Sequence, residues 1–236
     1  MPHKHHKIFF IGSEGIIGRH IAPLLDHHEV TRYDLVFGQD TRDKKCLEEV
    51  TPKVIDFVFH LANIPRPQPK LPVELFKEIN VGGTKNLLAV LKKRKVGGIV
   101  FFSSLAAIGW DVYEKRWETD FSASDIGDWP AGKPPWDEKV KALPPNGWDI
   151  ESYGASKTAQ EKLLRESTHN WLSLRLGPFG KPLPDRSDYY NDSVSAEYVI
   201  PVVKRILEKG MGKSGIIHVC RPGLFGGQKL QRFISG

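Results

Sequence analysis

Tyr153 and Lys157 stand four positions apart in Tyr153-Gly-Ala-Ser-Lys157. At the start of a helical segment that spacing places both side chains on one face, one turn apart. A free tyrosine has a pKa of about 10, too high for a base at neutral pH. An ammonium beside it stabilises the phenolate, so the pair suits proton transfer at an alcohol or a carbonyl. The same chemistry needs a hydroxyl near the reacting carbon. The apolar run Ile99–Phe102 ends in Ser103-Ser104, where a doubly wound sheet presents groups to its ligand. Tyr153, Lys157 and a hydroxyl of the Ser103-Ser104 pair are therefore the candidate catalytic groups.

Redox work at an alcohol also needs a hydride acceptor, and the N-terminal segment has the composition to bind one. Ile8-Phe9-Phe10-Ile11 runs directly into Gly12-Ser13-Glu14-Gly15-Ile16-Ile17-Gly18. Three glycines at this spacing allow a tight turn, close approach of backbone to a pyrophosphate, and packing of helix on strand. The helix that follows offers free N–H groups and a positive dipole end to phosphate. Gly12, Gly15, Ile16, Ile17 and Gly18 are the expected phosphate contacts. Asp34 ends the next apolar run, 22 positions after Gly12, where an acid would hold the adenine ribose. A carboxylate there favours NAD by repelling a 2′-phosphate, although Arg19 and Arg32 leave NADP open. Capping of a turn is the plainer role for Asp34.

The elements that must hold these groups follow from periodicity. Apolar runs at Lys7–Ile11, Glu29–Leu35, Val54–Leu61, Gly98–Ser103, Trp171–Leu176 and Gly215–Cys220 predict strands. Helical patterns fall at Ile17–His27, Lys44–Val50, Leu75–Lys95, Ser152–Ser167, Val194–Glu208 and Leu230–Ile234. Val54–Leu61 is almost continuously apolar, the mark of a strand buried on both faces of a parallel sheet. Strands alternating with helices imply right-handed crossovers and an α/β, Rossmann-type doubly wound parallel sheet. The pattern breaks over 110–150, which holds five of the six tryptophans and five prolines. A stretch so aromatic reads as a packed excursion over one end of the sheet. Residues 178–236 remain for small substrate-binding elements, within one domain spanning 1–236.

At this point the chain resembles the extended short-chain dehydrogenase/reductases, the NAD-dependent epimerase/dehydratase family, from Lys7 to about Ile234. Asp56-Phe-Val-Phe-His60-Leu61-Ala62 resembles the family's fourth-strand motif, which lies along the cofactor, and Asn80-Val-Gly-Gly-Thr84 its Asn-Val-x-Gly-Thr helix. Asp40 falls where the family contacts adenine. Ser103-Ser104-Leu-Ala-Ala-Ile-Gly109 is similar to its Ser-Ser-x-x-x-Tyr-Gly strand end, with Ile108 in place of the tyrosine. Leu174-Arg175-Leu-Gly-Pro178-Phe-Gly180 resembles its segment beside the nicotinamide. The resemblance adds Asp40, Leu61, Ala62, Asn80 and Pro178 to the expected cofactor contacts, with Lys157 on the nicotinamide ribose. It implies hydride transfer at a carbinol, with Tyr153 moving the proton and Ser104 orienting the substrate oxygen. It also implies a homodimer through a helix pair that includes the Tyr–Lys helix.

Two departures bear on substrate. Ser104 and Tyr153 are 49 positions apart, longer than the family pattern, and little chain follows Gly180. A small lobe suits a sugar, a sugar acid or a similar polyol better than a nucleotide-sugar. The strand end is also similar to that of the uronate dehydrogenases in this family. Arg66, Arg175 and Arg186 could clamp an anionic substrate, with Arg175 in the best motif position, yet lone arginines are more often solvated or ion-paired. His60 is expected to pack near the cofactor and not to bind metal.

Composition excludes other classes. The chain has 236 residues, 40% hydrophobic and 26% charged, with a net charge of +6. No apolar run is long enough to span a membrane, and Met1–Lys7 reads as a basic, His-rich tail. Two distant cysteines, Cys46 and Cys220, give no disulfide framework or metal spacing, so a cytoplasmic protein is expected. The basic run Lys92–Lys95 is expected to end a helix in water. Nucleic acid is not expected as a partner, since no aromatic-interleaved motif supports it. The alternative from another class is a non-catalytic dinucleotide-binding sensor or scaffold, whose mark would be a missing Tyr or Lys.

Overall fold

The computed structural model describes residues 4–64, 71–108, 152–177, 196–219 and 228–236. Five apolar runs and one alternating run become strands. They are β1 (Lys7–Ile11), β2 (Glu29–Tyr33), β3 (Val54–His60), β4 (Lys95–Ser104), β5 (Trp171–Leu176) and β6 (Gly215–Val219). All pair in parallel, in the order β2-β1-β3-β4-β5-β6. From β1 the chain builds one strand outward to β2, then crosses back to build the rest on the other side. That reversal puts the topological switch point between the C-terminal ends of β1 and β3, where such sheets bind ligands. The motif that the resemblance assigns to a fourth strand therefore lies on the third, and β2 is the sheet's edge among the described residues.

Alternation along each strand divides the core in two. Ile8 and Phe10 of β1, with Val100 and Phe102 of β4, pack on one face beneath α1 (Ile16–Ile21), α5 (Ala196–Lys209) and α6 (Gln228–Ser235). Phe9 and Ile11, with Ile99 and Phe101, pack on the other beneath α2 (Lys44–Val50), α3 (residues 73–91) and α4 (Ser152–Glu166). Both faces are covered, as the continuous apolar runs require.

Three expectations need correction. The helix expected over Leu75–Lys95 ends at Leu91, and Phe76–Gly82 in its middle winds as a π-helix. The helix expected over Ile17–His27 ends at Ile21 and tightens into a 3₁₀ turn at Ala22–Leu25, with Pro23 near its start. In the basic run Lys92–Lys95 the three lysines are exposed at the helix end, as expected, but Arg94 is not. Arg94 donates to the carbonyls of Glu48 (2.8 Å) and Thr51 (3.2 Å) at the end of α2, and Lys95 opens β4. A guanidinium meets the orphan carbonyls of the neighbouring helix in this way. Among the described residues no helix is long and apolar enough to cross a membrane.

Candidate functional site

The glycine loop leaves β1 in a conformation that an L side chain rarely adopts. Gly12 has φ +81°, and a Cβ built there would lie 2.5 Å from the Ala62 nitrogen. The loop is thus seated against Leu61 and Ala62, just past the end of β3, so two separately predicted cofactor elements meet at the switch point. Gly18 is buried against the same turn, and a Cβ there would lie 2.4 Å from the Ser13 carbonyl oxygen. Gly15 begins α1 with no side chain capping it. This combination fits a dinucleotide pyrophosphate: backbone at close range, no side chain in the way, and N–H groups without a side-chain acceptor. Of the next two positions, Ile16 is 70% exposed while Ile17 packs on the core.

Asp34 stands at the end of β2, still extended. Its carboxylate accepts from Glu14 N (2.9 Å) in the glycine loop and from Val36 N (3.0 Å) in the following 3₁₀ turn. Asp34 caps a turn and ties the loop to β2 at once. The buried Tyr33 hydroxyl donates to the Asp40 carbonyl (2.7 Å), holding that segment beneath the loop. The Asp40 carboxylate is paired with Arg42 (2.6 Å), whose hydrogen bond holds it below the usual carboxylate range.

Across the switch point, α4 carries Tyr153 and Lys157 against the end of β4. Lys157 Nζ donates to the Phe102 carbonyl (2.9 Å) and lies 5.5 Å from the Tyr153 ring centroid. The residue is 2% exposed. Burial pushes its ammonium down to about 7, and Glu161 counters part of that. Ser104 closes β4, and its hydroxyl accepts from Ala106 N (3.1 Å) in the 3₁₀ turn Leu105–Ile108. Thr158 of α4 donates to the Ala107 carbonyl (3.1 Å), fastening that turn to the Tyr–Lys helix. Phe76 of α3 meets the Tyr153 ring edge to face at 6.4 Å.

Asn80 is fully buried in the π-helical stretch. Its side chain accepts from Ile64 N (2.8 Å) and donates to the Ser156 hydroxyl (3.0 Å). The Asn80 carbonyl accepts from Gln160 (3.0 Å) and from the Thr84 hydroxyl (2.8 Å). Asn80 therefore links the segment after β3 to the Tyr–Lys helix. His60 is buried, hydrogen-bonded to Thr84 (2.8 Å), and driven down to about 3 by burial and by Lys157. Among the described residues no group of His, Cys, Asp and Glu could hold a metal ion.

Arg175 is ion-paired, the commoner fate of a lone arginine, and does not serve as a substrate clamp. It is 1% exposed, and its guanidinium donates to both oxygens of Glu161, at 2.9 and 2.6 Å. Glu161 Oε1 also accepts from Ser103 (2.7 Å) and Ser173 (2.9 Å). Burial alone would raise the Glu161 carboxyl, but these donors hold it below the usual carboxylate range. An arginine so bound has no freedom to reach a substrate. Glu161 was missed in the sequence, although Tyr153, Lys157 and Glu161 fall at i, i+4 and i+8 on one helix face. Pro178, Arg66, Arg186 and the tryptophans of 110–150 lie outside the described residues.

With this geometry in view, similarity to other proteins becomes informative. The NAD dependent epimerase/dehydratase family profile matches residues 8–179. A sterol-4-alpha-carboxylate 3-dehydrogenase (decarboxylating) of Candida albicans is 28% identical over 131 residues, 44% of this chain and 37% of that protein. The chain thus spans little more than a third of the curated relative it matches. A UDP-galactose 4-epimerase structure superposes with a TM-score of 0.70 at 17% identity, over 97% of this chain and 92% of the other. Uronate dehydrogenase from Agrobacterium tumefaciens gives 0.66 at 17% identity, covering 97% and 83%. The Bordetella bronchiseptica enzyme WbmG, solved with NAD and UDP, gives 0.65 at 19% identity, covering 92% and 73%. At such identities the superpositions establish the fold, and the profile establishes the kinship. The chain belongs to the NAD dependent epimerase/dehydratase family.

Proposed function

We propose that this chain is an oxidoreductase or epimerase that works at the carbinol or carbonyl of a sugar or sugar acid, with Tyr153 as its acid/base. The observation that carries the reading is the buried Lys157 ammonium, 5.5 Å from the Tyr153 ring on the strand end that closes with Ser104. In the oxidising direction the substrate hydroxyl gives its proton to the Tyr153 phenolate, and the charge on Lys157 stabilises that phenolate. The Ser104 hydroxyl donates to the substrate oxygen and fixes its orientation. NAD, when bound, supplies the acceptor for the carbinol hydride. Gly12, Gly15, Ile16, Ile17 and Gly18 would hold its pyrophosphate, Leu61 and Ala62 would line it, and Lys157 would reach the nicotinamide ribose. Asp34 would hold the adenine ribose, with Asp40 toward the adenine. Asn80 acts by fixing the Ile64 segment and α4.

Uronates and simple sugars suit this reading, because uronate dehydrogenase is among the superposing structures. A cytoplasmic homodimer through the Tyr–Lys helix belongs to the same reading. Calorimetric titration of nucleotide-free protein with NAD, followed by a turnover screen over uronates and sugars, tests it. Tyr153→Phe should cut turnover by about 10²–10⁴-fold while leaving NAD affinity nearly intact. Turnover that survives the substitution would remove Tyr153 from the mechanism.

A further inference from the structure

The glycine loop carries an acid, Glu14, that neither phosphate binding nor proton transfer uses. Its surroundings are specific. Its backbone N donates to the Asp34 carboxylate at 2.9 Å. Its own carboxylate accepts from the buried Ser13 hydroxyl at 3.0 Å and from Arg32 Nη1 at 3.3 Å. Arg32 and Asp34 stand two apart along extended backbone, so they share one face of β2. The cation and the anion of this corner are thus both attached to one residue. An arginine beside the ribose acid is the group that would receive a 2′-phosphate, because guanidinium pairs with phosphate oxygens.

We propose that Glu14 is a cofactor-specificity residue: by holding Arg32 against the loop, it denies a 2′-phosphate its cation, so the site takes NAD and rejects NADP. The inference rests on the dinucleotide reading of this loop. Arg32 is about half exposed and Glu14 is largely covered, with side-chain exposures of 44% and 20%. The pair therefore constrains Arg32 through geometry and modest attraction, and releasing it should move the cofactor preference by a limited factor. Arg19, on α1, is exposed in the same corner and remains common to every variant compared.

The test is calorimetric titration of the full chain, freed of nucleotide, with NAD and NADP at fixed ionic strength. Wild type should prefer NAD. Glu14→Gln keeps the size of the side chain and an acceptor for Ser13 but loses the charge. It should shift the ratio of the two dissociation constants toward NADP by about threefold to tenfold, with NAD binding retained. Arg32→Ala should give no such gain, and Glu14→Gln/Arg32→Ala should lose it. The gain should also shrink as salt is raised. An unchanged ratio in Glu14→Gln, or a gain that persists without Arg32, overturns the inference while NAD binding keeps the wider reading standing. Wild type that binds neither dinucleotide removes both. Glu14→Ser, checked by thermal melting, repeats the experiment should the glutamine variant fold poorly, with the same expected shift.

Discussion

The two sides of the cofactor cleft are built by opposite means. At the glycine-loop corner, backbone does the positioning: Gly12 and Gly18 are fixed by close contacts that admit no side chain. The polar side chains there, Glu14, Arg32 and Asp34, lie in reach of water. Beneath Tyr153 and Lys157 the positioning comes from buried charge. Glu161 and Arg175 are each 1% exposed, and Ser103 and Ser173 also donate to the Glu161 carboxylate. A weak, wet network can change without loss of the fold, so selectivity can be adjusted there. A dry, charge-paired one holds β4, β5 and α4 in register, and with them Ser104, Tyr153 and Lys157.

The contrast breaks first at Glu161. Glu161→Gln or Arg175→Met leaves the other partner buried without its countercharge, and urea unfolding should show a loss of about 3–5 kcal/mol for either. The double change Glu161→Leu/Arg175→Met should recover much of that loss, because no lone charge remains. Glu14→Gln and Arg32→Ala at the other corner should each stay within about 0.5 kcal/mol. Equal costs on the two sides would dissolve the comparison. Gly12→Ala tests the backbone side on its own terms. It combines a left-handed φ with a Cβ 2.5 Å from the Ala62 nitrogen, and should cost on the order of 2–3 kcal/mol together with NAD binding.

These costs also explain what the sequence made legible. Apolar runs marked the central strands β1, β3 and β4, because a parallel sheet covered on both faces leaves them no polar side. The glycine loop and Tyr153-x-x-x-Lys157 were readable because backbone approach and one-turn spacing are local demands. Glu161 was hidden among Gln160 and Lys162, which give α4 the look of a solvated surface, and Arg175 sat in a strand whose alternation suggests a wet face. Both are buried because each meets a partner 14 positions away, a pairing that local periodicity does not report. The π-helical stretch was hidden for a similar reason. The Asn80 carbonyl takes a hydrogen bond from Gln160, 80 positions on, so its accounting closes only in the folded chain.

Lys157 sharpens the comparison through pH. Its folded value of about 7 lies below the ordinary 10.5, so between these the unfolded chain binds the extra proton. The contribution of Lys157 to stability is therefore complete above about pH 10.5 and is lost as pH falls through about 7. Lys157→Met should be more stable than wild type at pH 7, by on the order of 1–3 kcal/mol, and the difference should close as pH rises. Turnover should be lost throughout. A difference that stays constant with pH would mean that burial of this ammonium is not what strains the site. Such strain at a group proposed to be catalytic is the stability that activity would forgo.

Asp34 should give a smaller effect than Lys157. Its carboxylate accepts from Glu14 N and Val36 N, so Asp34→Ala removes a turn cap and a loop tie as well as a charge. Stability should fall by about 1 kcal/mol, NAD should bind more weakly, and NADP should improve relative to it. Asp34→Asn separates the two roles. The amide oxygen still accepts from Val36 N, so melting should stay close to wild type while the preference for NAD drops. Equal weakening of both cofactors in Asp34→Asn would leave Asp34 as a cap alone. A shift in preference without a shift in melting is the outcome expected of the wet corner, and no single substitution of Glu161 or Arg175 should reproduce it.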